Sequence, residues 1–271
     1  MLKGAPLGEK TKYIYHYTPE LLFPVSRSLA RDKIGLQSDS LPFHGIDIWN
    51  SFELSWLNPQ GKPVIGGGEF IFPCDTENLV ESKSFKLYLN SFNQSPFDSL
   101  DQVQETIAND LEKFCGLRGE MKIYTVEECE KLPTGIPDGK CLDDLDITTD
   151  TYEVDPEFLV TSEEDVEETL YSHLLKSNCL ATGQPDWGMI LIKYAGPKID
   201  AAGLLKYIIS FRNHSGFAEH CVEHIYVDIM KRCQPKKLTV YARYTKRGGL
   251  DINPFRSNFE KPYTNVKIVR Q

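Results

Sequence analysis

The sequence lacks the features that mark several common classes of protein. No hydrophobic run among its 271 residues approaches the length of a membrane span, and the N-terminus has no signal-peptide core. The seven cysteines are scattered without CxxC pairs, which favours free thiols in a reducing compartment. We therefore expect a soluble cytoplasmic protein that does not contact membranes.

Positive charge is also scarce. The chain has 30 Lys and Arg against 39 Asp and Glu, a formal net charge of -9. Because neutralising phosphates requires a basic surface, we expect no direct binding to nucleic acid.

Two motif-like segments are incomplete. Gly66-Gly67-Gly68 has neither the GxGxxG spacing nor the Gly-Lys-Ser ending of phosphate loops, so it predicts a turn or bulge before a strand at 69–72. His220 and His224, which flank Cys221, have helical spacing but no HExxH frame and no second ligand pair. A partly buried helix face is the better interpretation, and we expect no metal site.

What is present is an ordinary globular composition, with 41% hydrophobic and 25% charged residues. Residues 1–40 have little periodicity and predict an extended arm, and the acidic stretch 127–165 predicts a connector that is partly strand-like around 151–154. Periodicity predicts several regular elements. These are strands at 49–56, 121–126 and 238–244, and helices at about 81–92 and 100–115.

The second half of the chain repeats the first. Ile107, Leu111 and Cys115 recur 118 residues later as an identically spaced trio, Ile225, Ile229 and Cys233. Each half has the order strand, strand, helix, helix, strand. The repeat predicts an α+β fold of two tandem units, with domains at 1–135 and 136–271.

The segment 177–188, SNCLATGQPDWG, has the most chemical character. Val166, Leu170 and Leu174 predict an amphipathic helix opened by Ser162, which places Cys179 just past a helix end. A Gly and a Pro then turn the chain, which can fold Asp186 back toward the thiol. A thiolate can attack an electrophilic carbon while a carboxylic acid protonates the atom that gains charge. A buried structural cysteine is the commoner meaning of such a residue.

Basic residues give a second set of candidates. Lys83, Lys86 and Asn90 share one face of the 81–92 helix, which indicates either a solvated surface or, with Ser82 at the helix start, a phosphate site. Arg247 precedes Gly248-Gly249, where a turn can bring a guanidinium and backbone amides to one phosphate. Arg243 and Arg256 are interpreted as structural ion-pair partners.

Three segments of the chain resemble those of a known family. Residues 177–188, 81–92 (ESKSFKLYLNSF) and 241–254 (YARYTKRGGLDINP) resemble the active-site, cofactor and C-terminal motifs of the NADPH-dependent 7-cyano-7-deazaguanine reductases, nitrile reductases of the queuosine pathway. The resemblance implies two tunnelling-fold units, each an antiparallel sheet carrying two helices, with sites at seams between units. The first half has Glu81-Ser82-Lys83 and the second has Cys179 and Asp186, so a site shared between halves or subunits, and a homodimer, are expected.

The resemblance also implies residue roles. Cys179 would form a covalent thioimide with the nitrile and Asp186 would protonate its nitrogen. The substrate-binding residues carried over are Val80, Glu81, Ser82 and Glu219, and the NADPH-binding residues are Ser82, Lys83, Arg247 and Gly248. The family normally has His before the glutamate, where this chain has Ala218, so substrate contacts and turnover are expected to differ. The lack of a Rossmann fingerprint agrees with this family.

Two alternatives stay open at this point. A thiol hydrolase of a nitrile or amidine would need water and a general base but no dinucleotide. A protein that binds a purine-like ligand without turnover is compatible with Ala218. Nitrile-linked NADPH consumption distinguishes the reductase from both.

Overall fold

The computed structural model describes residues 13–135, 137–180 and 182–271. The described strands are β1 (Pro24–Ser26), β2 (His44–Leu57), β3 (Pro63–Pro73), β4 (Asn78–Val80), β5 (Glu120–Tyr124), β6 (Lys140–Cys141), β7 (Thr161–Asn178), β8 (Pro185–Ile199), β9 (Lys237–Tyr244) and β10 (Leu250–Ser257). The described α-helices are α1 (Ser28–Arg31), α2 (Ser82–Ser91), α3 (Leu100–Cys115), α4 (Val126–Glu130), α5 (Ala201–Ser210) and α6 (Ala218–Cys233).

Eight of these strands form one sheet in the order β5-β3-β2-β10-β9-β8-β7-β6, while β1 pairs with β4 separately. The pairs are antiparallel except β6 with β7. Strand β10, the last in the chain, lies between β2 and β9 and joins the strands of both halves into a single sheet. The fold is thus mixed α+β, as the sequence predicts.

Each half contributes a pair of longer helices with matching local contacts. Carboxylates that precede α2 and α5 cap them by accepting hydrogen bonds from backbone N–H groups of the first turn. In the first pair the Tyr88 hydroxyl donates to Asp110 (2.6 Å), and in the second the Tyr207 hydroxyl donates to Asp228 (2.7 Å). The predicted order strand, strand, helix, helix, strand is confirmed in both halves.

The helices cover one face of the sheet. An aromatic cluster that includes Trp49 and Phe85 packs α2 and α3 against β2 and β3, and a second cluster packs α5 and α6 against β8 and β9. Successive residues of β8 point to opposite faces. Ile190 belongs to the helix-side cluster, whereas Leu191 packs with Ile268 of the C-terminal segment on the other face. Burying one such side chain stabilises the fold by about 1.5–3 kcal/mol.

The predicted helix after Ser162 is wrong, because residues 161–178 form strand β7. Spacing of four places Val166, Leu170 and Leu174 on one face of a strand as well as on one face of a helix. Pairing with β8 along nearly its whole length decides the outcome. An irregularity between Ser172 and Leu175 then shifts the alternation, which leaves Leu174 exposed. Cys179 therefore follows a strand and not a helix.

Other local expectations are corrected. The described part of the predicted arm, from residue 13, contains β1 and α1, and residues 1–12 lie outside the described residues. Gly66–Gly68 lie inside β3, and the extra residue of the bulge belongs to β2, between Ser51 and Leu54. Residues 151–154 form no strand.

One expected pairing is also wrong. The Arg243 guanidinium donates to neutral acceptors, the hydroxyl of Tyr241 and the side-chain oxygens of Asn265 and Gln271, and not to a carboxylate. Arg256 does pair with carboxylates, as predicted. In the described part of the chain, no helix is long and apolar enough to cross a membrane.

Candidate active site

The β7–β8 hairpin brings the predicted nucleophile and acid to one cavity. The backbone N–H of Cys179 donates to the Gln184 carbonyl (2.9 Å), and that of Gly183 donates to the Cys179 carbonyl (3.0 Å). Gly183 has a φ of +67°, a left-handed conformation that glycine adopts without a steric penalty. Asp186, opposite Ser177 in the ladder, and Cys179 both line the cavity. The turn thus folds the acid back beside the thiol, although the element before it is a strand.

Main-chain hydrogen bonds attach the beginning of α6 to the same hairpin. The Asn178 N–H donates to the His214 carbonyl (2.8 Å), and the Gly216 N–H donates to the Asn178 carbonyl (3.1 Å). Phe217 is the N-cap residue of α6 and, among the described residues, no side chain caps this helix. Gly216, Phe217 and Ala218 line the cavity, where Ala218 presents only a methyl group.

The β9–β10 loop supplies a guanidinium. Arg247 Nε lies 2.9 Å from Asp186 Oδ1, and Arg247 Nη1 donates to Gln184 Oε1 (3.0 Å). Gly248 follows with a φ of +58°, and a Cβ there would lie 3.2 Å from Lys86 Cδ. The loop can approach Lys86 this closely because residue 248 has no side chain.

The first half contributes Ser82 and Lys86 from α2 to the cavity wall. Burial, together with the charge of Arg247, lowers the pKa of Lys86 to about 8, against the opposing effects of Asp186, Glu81 and Cys179. Burial raises the pKa of Asp186, although Arg247 and Lys86 oppose the shift. Asp186 is thereby biased toward carrying a proton, as a general acid requires.

Several residues carried over from the family motifs lie outside the lining of this cavity. Glu81 is buried and caps α2, where its carboxylate accepts from the backbone N–H groups of Lys83 (2.8 Å) and Ser84 (2.7 Å). Val80 is buried in the core. Lys83 lies on α2 but does not line this cavity, and Gly248 lines a smaller cavity that it shares with Lys86.

Glu219 lies directly after the cavity-lining Ala218. Its side chain is 1% exposed, and its Oε1 has no hydrogen-bond partner among the described residues. Burial, with the charge of Asp47, raises the pKa of Glu219 to about 7, against the opposing effects of Arg27 and Arg256. A buried carboxyl with an unused acceptor atom is suited to bind a ligand that has N–H donors.

The histidines near α6 serve packing. His220 packs edge-on against Phe217, and His224 lies 3.4 Å from Asp228 and packs against His214. Within the described ranges, no group of three or more His, Cys, Asp or Glu side chains is placed to hold a metal ion.

Sequence reasoning missed part of the cavity. It considered Lys86 for a phosphate site but did not place it beside Cys179 and Asp186, although Ser82 and Lys86 are four residues apart and must share a helix face. Tyr244 and Thr245 also line the cavity, and their place in the motif beside Arg247 was the available signal. Leu250 and Ile252 line it from β10, which no local pattern indicates.

Known protein families match both halves of the chain. Residues 13–123 match the family model described as the N-terminal part of nitrile reductase, 7-cyano-7-deazaguanine-reductase, and residues 185–263 match that of a QueF-like protein. The chain is similar to proteins named NADPH-dependent 7-cyano-7-deazaguanine reductase from several organisms. Identity is 55% with that of Azoarcus sp. (94% of this chain, 91% of the relative), 55% with that of Dechloromonas aromatica (99% and 95%) and 54% with that of Burkholderia multivorans (98% and 98%). The chain therefore belongs to the NADPH-dependent 7-cyano-7-deazaguanine reductase family.

Proposed function

We propose that this chain reduces the nitrile of 7-cyano-7-deazaguanine to the aminomethyl group with NADPH, in queuosine biosynthesis. One observation carries the proposal: a single cavity is lined by Cys179 and Asp186 of the second half and by Ser82 and Lys86 of the first. The names of relatives about 55% identical support the same activity.

Cys179 acts as the nucleophile. Its thiolate adds to the nitrile carbon, and the C–N triple bond becomes the double bond of a thioimide. The developing charge on nitrogen takes a proton from Asp186, whose burial favours the protonated carboxyl. Arg247 pairs with Asp186 when the carboxylate is ionised, so the guanidinium can stabilise the Asp186 carboxylate between proton transfers. Two rounds of reduction convert the carbon to the amine, and the C–S bond breaks after the first.

Glu219 and Ser82 are the proposed side-chain contacts to the heterocycle. An ionised Glu219 accepts from a ring N–H and the neighbouring amino group, which its unused Oε1 allows. Val80 and Glu81 are proposed to lie near the substrate and to position Ser82, since Glu81 caps the helix that Ser82 begins. Ala218 contributes no hydrogen bond.

The residues around the cavity fit a phosphate-bearing cofactor. Arg247, Lys86 and Lys83 provide positive charge, and Gly248 leaves the space beside Lys86 that a Cβ would fill. We propose that Ser82, Lys83, Arg247 and Gly248 hold NADPH. When bound, NADPH supplies the hydride for each reduction.

We also propose the architecture that the motifs imply. The two units, 1–135 and 136–271, would be tunnelling-fold modules, which the repeated order of elements supports. Strand β5 forms one edge of the sheet. At the other edge, β7 is paired over only two residues by β6. Both edges can therefore pair with a second copy of the chain in a homodimer. We propose a cytoplasmic enzyme that contacts neither nucleic acid nor membrane.

Loss of NADPH absorbance on adding 7-cyano-7-deazaguanine, with mass spectrometry of the product, tests the activity. The expected product is the aminomethyl compound, with two NADPH consumed per nitrile. A hydrolytic product without NADPH loss would indicate a thiol hydrolase, and binding without any product would indicate a binding protein.

A further inference from the structure

A cluster of charged side chains lies in the interior, none more than 1% exposed. It consists of Arg27, Arg31, Asp47, Glu223 and Arg256. Arg27 Nη2 lies 2.6 Å from an Asp47 oxygen, and Arg256 lies 2.8 Å from both carboxylates. Arg31 pairs with Glu223 at 2.7 Å. The cluster thus ties the segment around α1 to β2, β10 and α6.

The cluster is unbalanced by itself, with three guanidinium groups and two carboxylates. Although burial opposes its ionisation, Arg256 and Arg31 lower the pKa of Glu223 to about 2, so this carboxylate is fully charged. Uncompensated charge in the interior is costly. Glu219 lies one helical turn before Glu223, and its ionisation makes the group of six electrically neutral.

Two buried atoms, one from Arg27 and one from Glu219, lack hydrogen-bond partners. Arg27 Nη1 and Glu219 Oε1 are both inaccessible to solvent and have no hydrogen-bond partner among the described residues. Arg27 and Arg256 are the positive charges that act on Glu219, and Asp47 is the negative one that opposes them. An orphaned buried donor and an orphaned buried acceptor are each unfavourable, so each of these atoms gains free energy from a new hydrogen-bond partner.

We propose that Arg27 is a positioning residue that holds Glu219 as a carboxylate at the cavity. In this state Glu219 accepts hydrogen bonds from two adjacent N–H donors of a ligand, such as the ring N–H and amino group of a guanine-like edge. This role deepens the proposed function and rests on it for the identity of the ligand.

The other basic groups near Glu219 are neutral or already paired with carboxylates. His220 is adjacent to Glu219, but burial lowers its pKa to about 4, so it is neutral near pH 7. Arg31 makes its charged hydrogen bonds to Glu223 and its remaining one to the Cys74 carbonyl. Arg256 is shared between Asp47 and Glu223, which leaves Arg27 as the cluster arginine with a spare buried donor.

The test is a titration of the Glu219 carboxyl by carbon-13 NMR in the full chain, with Glu219→Gln to assign the signal. Arg27→Met should move the midpoint to higher pH by about one unit or more, because an opposite charge is removed. Asp47→Asn should move it to lower pH, because a like charge is removed. Arg27→Lys should restore much of the original midpoint. Arg31→Met, a matched loss of a buried arginine, should shift it less than Arg27→Met.

Shifts of the Glu219 midpoint in opposite directions in Arg27→Met and Asp47→Asn indicate an electrostatic role for these residues. Damage to the fold would not make the two variants shift in opposite directions. If Arg27→Met does not fold, the other two variants test the role of Arg27. The Glu219 midpoint should then be lower in Asp47→Asn and close to the original in Arg27→Lys, and any other result would overturn the proposal. An unchanged midpoint in folded Arg27→Met, or shifts of one sign in both variants, would overturn the proposal.

Ligand binding is measured separately. The affinity of Cys179→Ala for 7-cyano-7-deazaguanine, which cannot become covalently attached there, should fall as pH drops through the NMR midpoint. Failure of this ligand to bind while the NMR shifts appear would reject the proposed substrate and leave the role of Arg27 intact.

Discussion

The two long hairpins of the sheet show how one backbone arrangement supports structure in one half and chemistry in the other. Asn58 follows β2 as Cys179 follows β7, and the backbone N–H of each donates across its loop at 2.9 Å. Each loop has a left-handed glycine, Gly61 at φ +77° and Gly183 at φ +67°. Each strand end also bridges to the segment before the second long helix of its half, α3 or α6.

The side chains use these equivalent positions differently. Asn58 Oδ1 accepts from the backbone N–H groups of Gln60 (3.0 Å) and Lys62 (2.9 Å), so its side chain closes the loop. Val64 lies in the first hairpin where Asp186 lies in the second. Main-chain hydrogen bonds suffice to hold the turn, and the second copy is therefore able to place a thiol and an acid there.

The largest expected effect comes from giving the second hairpin the residue of the first. Cys179→Asn and Cys179→Ala should both abolish the thioimide and NADPH oxidation, because no other group can form the C–S bond, while the fold remains stable. Mass spectrometry of protein mixed with substrate and no NADPH measures the adduct. Asn58→Cys is the reciprocal control and should gain no adduct. An adduct on Cys221 or Cys233 would place the nucleophile elsewhere.

Asp186→Asn should lower kcat by about 10²–10⁴, the usual effect of losing a general acid. Steady-state NADPH oxidation measures this loss, and Asp186→Val, which copies Val64, should lose at least as much. Retained activity in Asp186→Asn would assign proton delivery to another group, of which Lys86 is the nearest candidate.

Removing the cations tests the division between cofactor and substrate contacts. Lys83→Ala should raise the KM for NADPH by about tenfold or more with a smaller change in kcat, because its contact is alike in ground and transition states. Arg247→Ala should raise this KM as well, and it should also lower kcat because Arg247 pairs with Asp186. The Cys179 adduct should still form. Lys206→Ala, on the corresponding helix α5, is the control. If a variant also fails to form the adduct, the substituted residue belongs to the substrate pocket.

Glu219→Gln should weaken ligand binding and should remove the pH dependence of stability that the Glu219 carboxyl contributes. The raised pKa, about 7, means that the folded state binds more protons than the unfolded state between roughly pH 4.5 and 7. Stability contributed by this group therefore falls as pH rises through that window. Urea unfolding at pH 5 and pH 8 measures it, with the exposed Asp101→Asn at the equivalent position of α3 as control.

The smallest effect concerns residue 218. Ala218→His should increase kcat/KM two- to tenfold at saturating NADPH, the range expected for one added hydrogen bond of about 0.5–1.5 kcal/mol. Leu100→His, at the equivalent start of α3, should have no such effect. An equal or lower value for Ala218→His would show that the pocket differs from that of the relatives.

Local signals predicted α2, α3 and the turn between Cys179 and Asp186. The period of the apolar residues and the caps specify α2 and α3, and a Gly and a Pro specify the turn. Strand β7 was predicted as a helix because apolar residues spaced four apart fit both a helix and a strand. Only the pairing with β8 distinguishes the two. The helix cap made by Glu81 is a local feature of the sequence. The family resemblance implied a substrate contact for this residue instead.

Long-range features had no such signal. Lys86 lines the same cavity as Cys179, and Gly248, far along the chain, lies against Lys86. Arg27 and Arg31 meet partners from other elements in the interior, and no pattern within the first 40 residues distinguishes them from surface cations. Arg256 was identified correctly as an ion-pair partner, whereas Arg243 was not, since only the fold decides which acceptors surround a buried guanidinium.

The position of β10 has a consequence for biosynthesis. This strand pairs with β2, joining residues about 200 positions apart such as Ser51 and Leu250, so the first half has no complete sheet until the ribosome has made nearly the whole chain. Contacts of such long sequence separation close late and slow folding. We expect the N-terminal half to remain incompletely folded during translation and to acquire native structure only when the last strand is released.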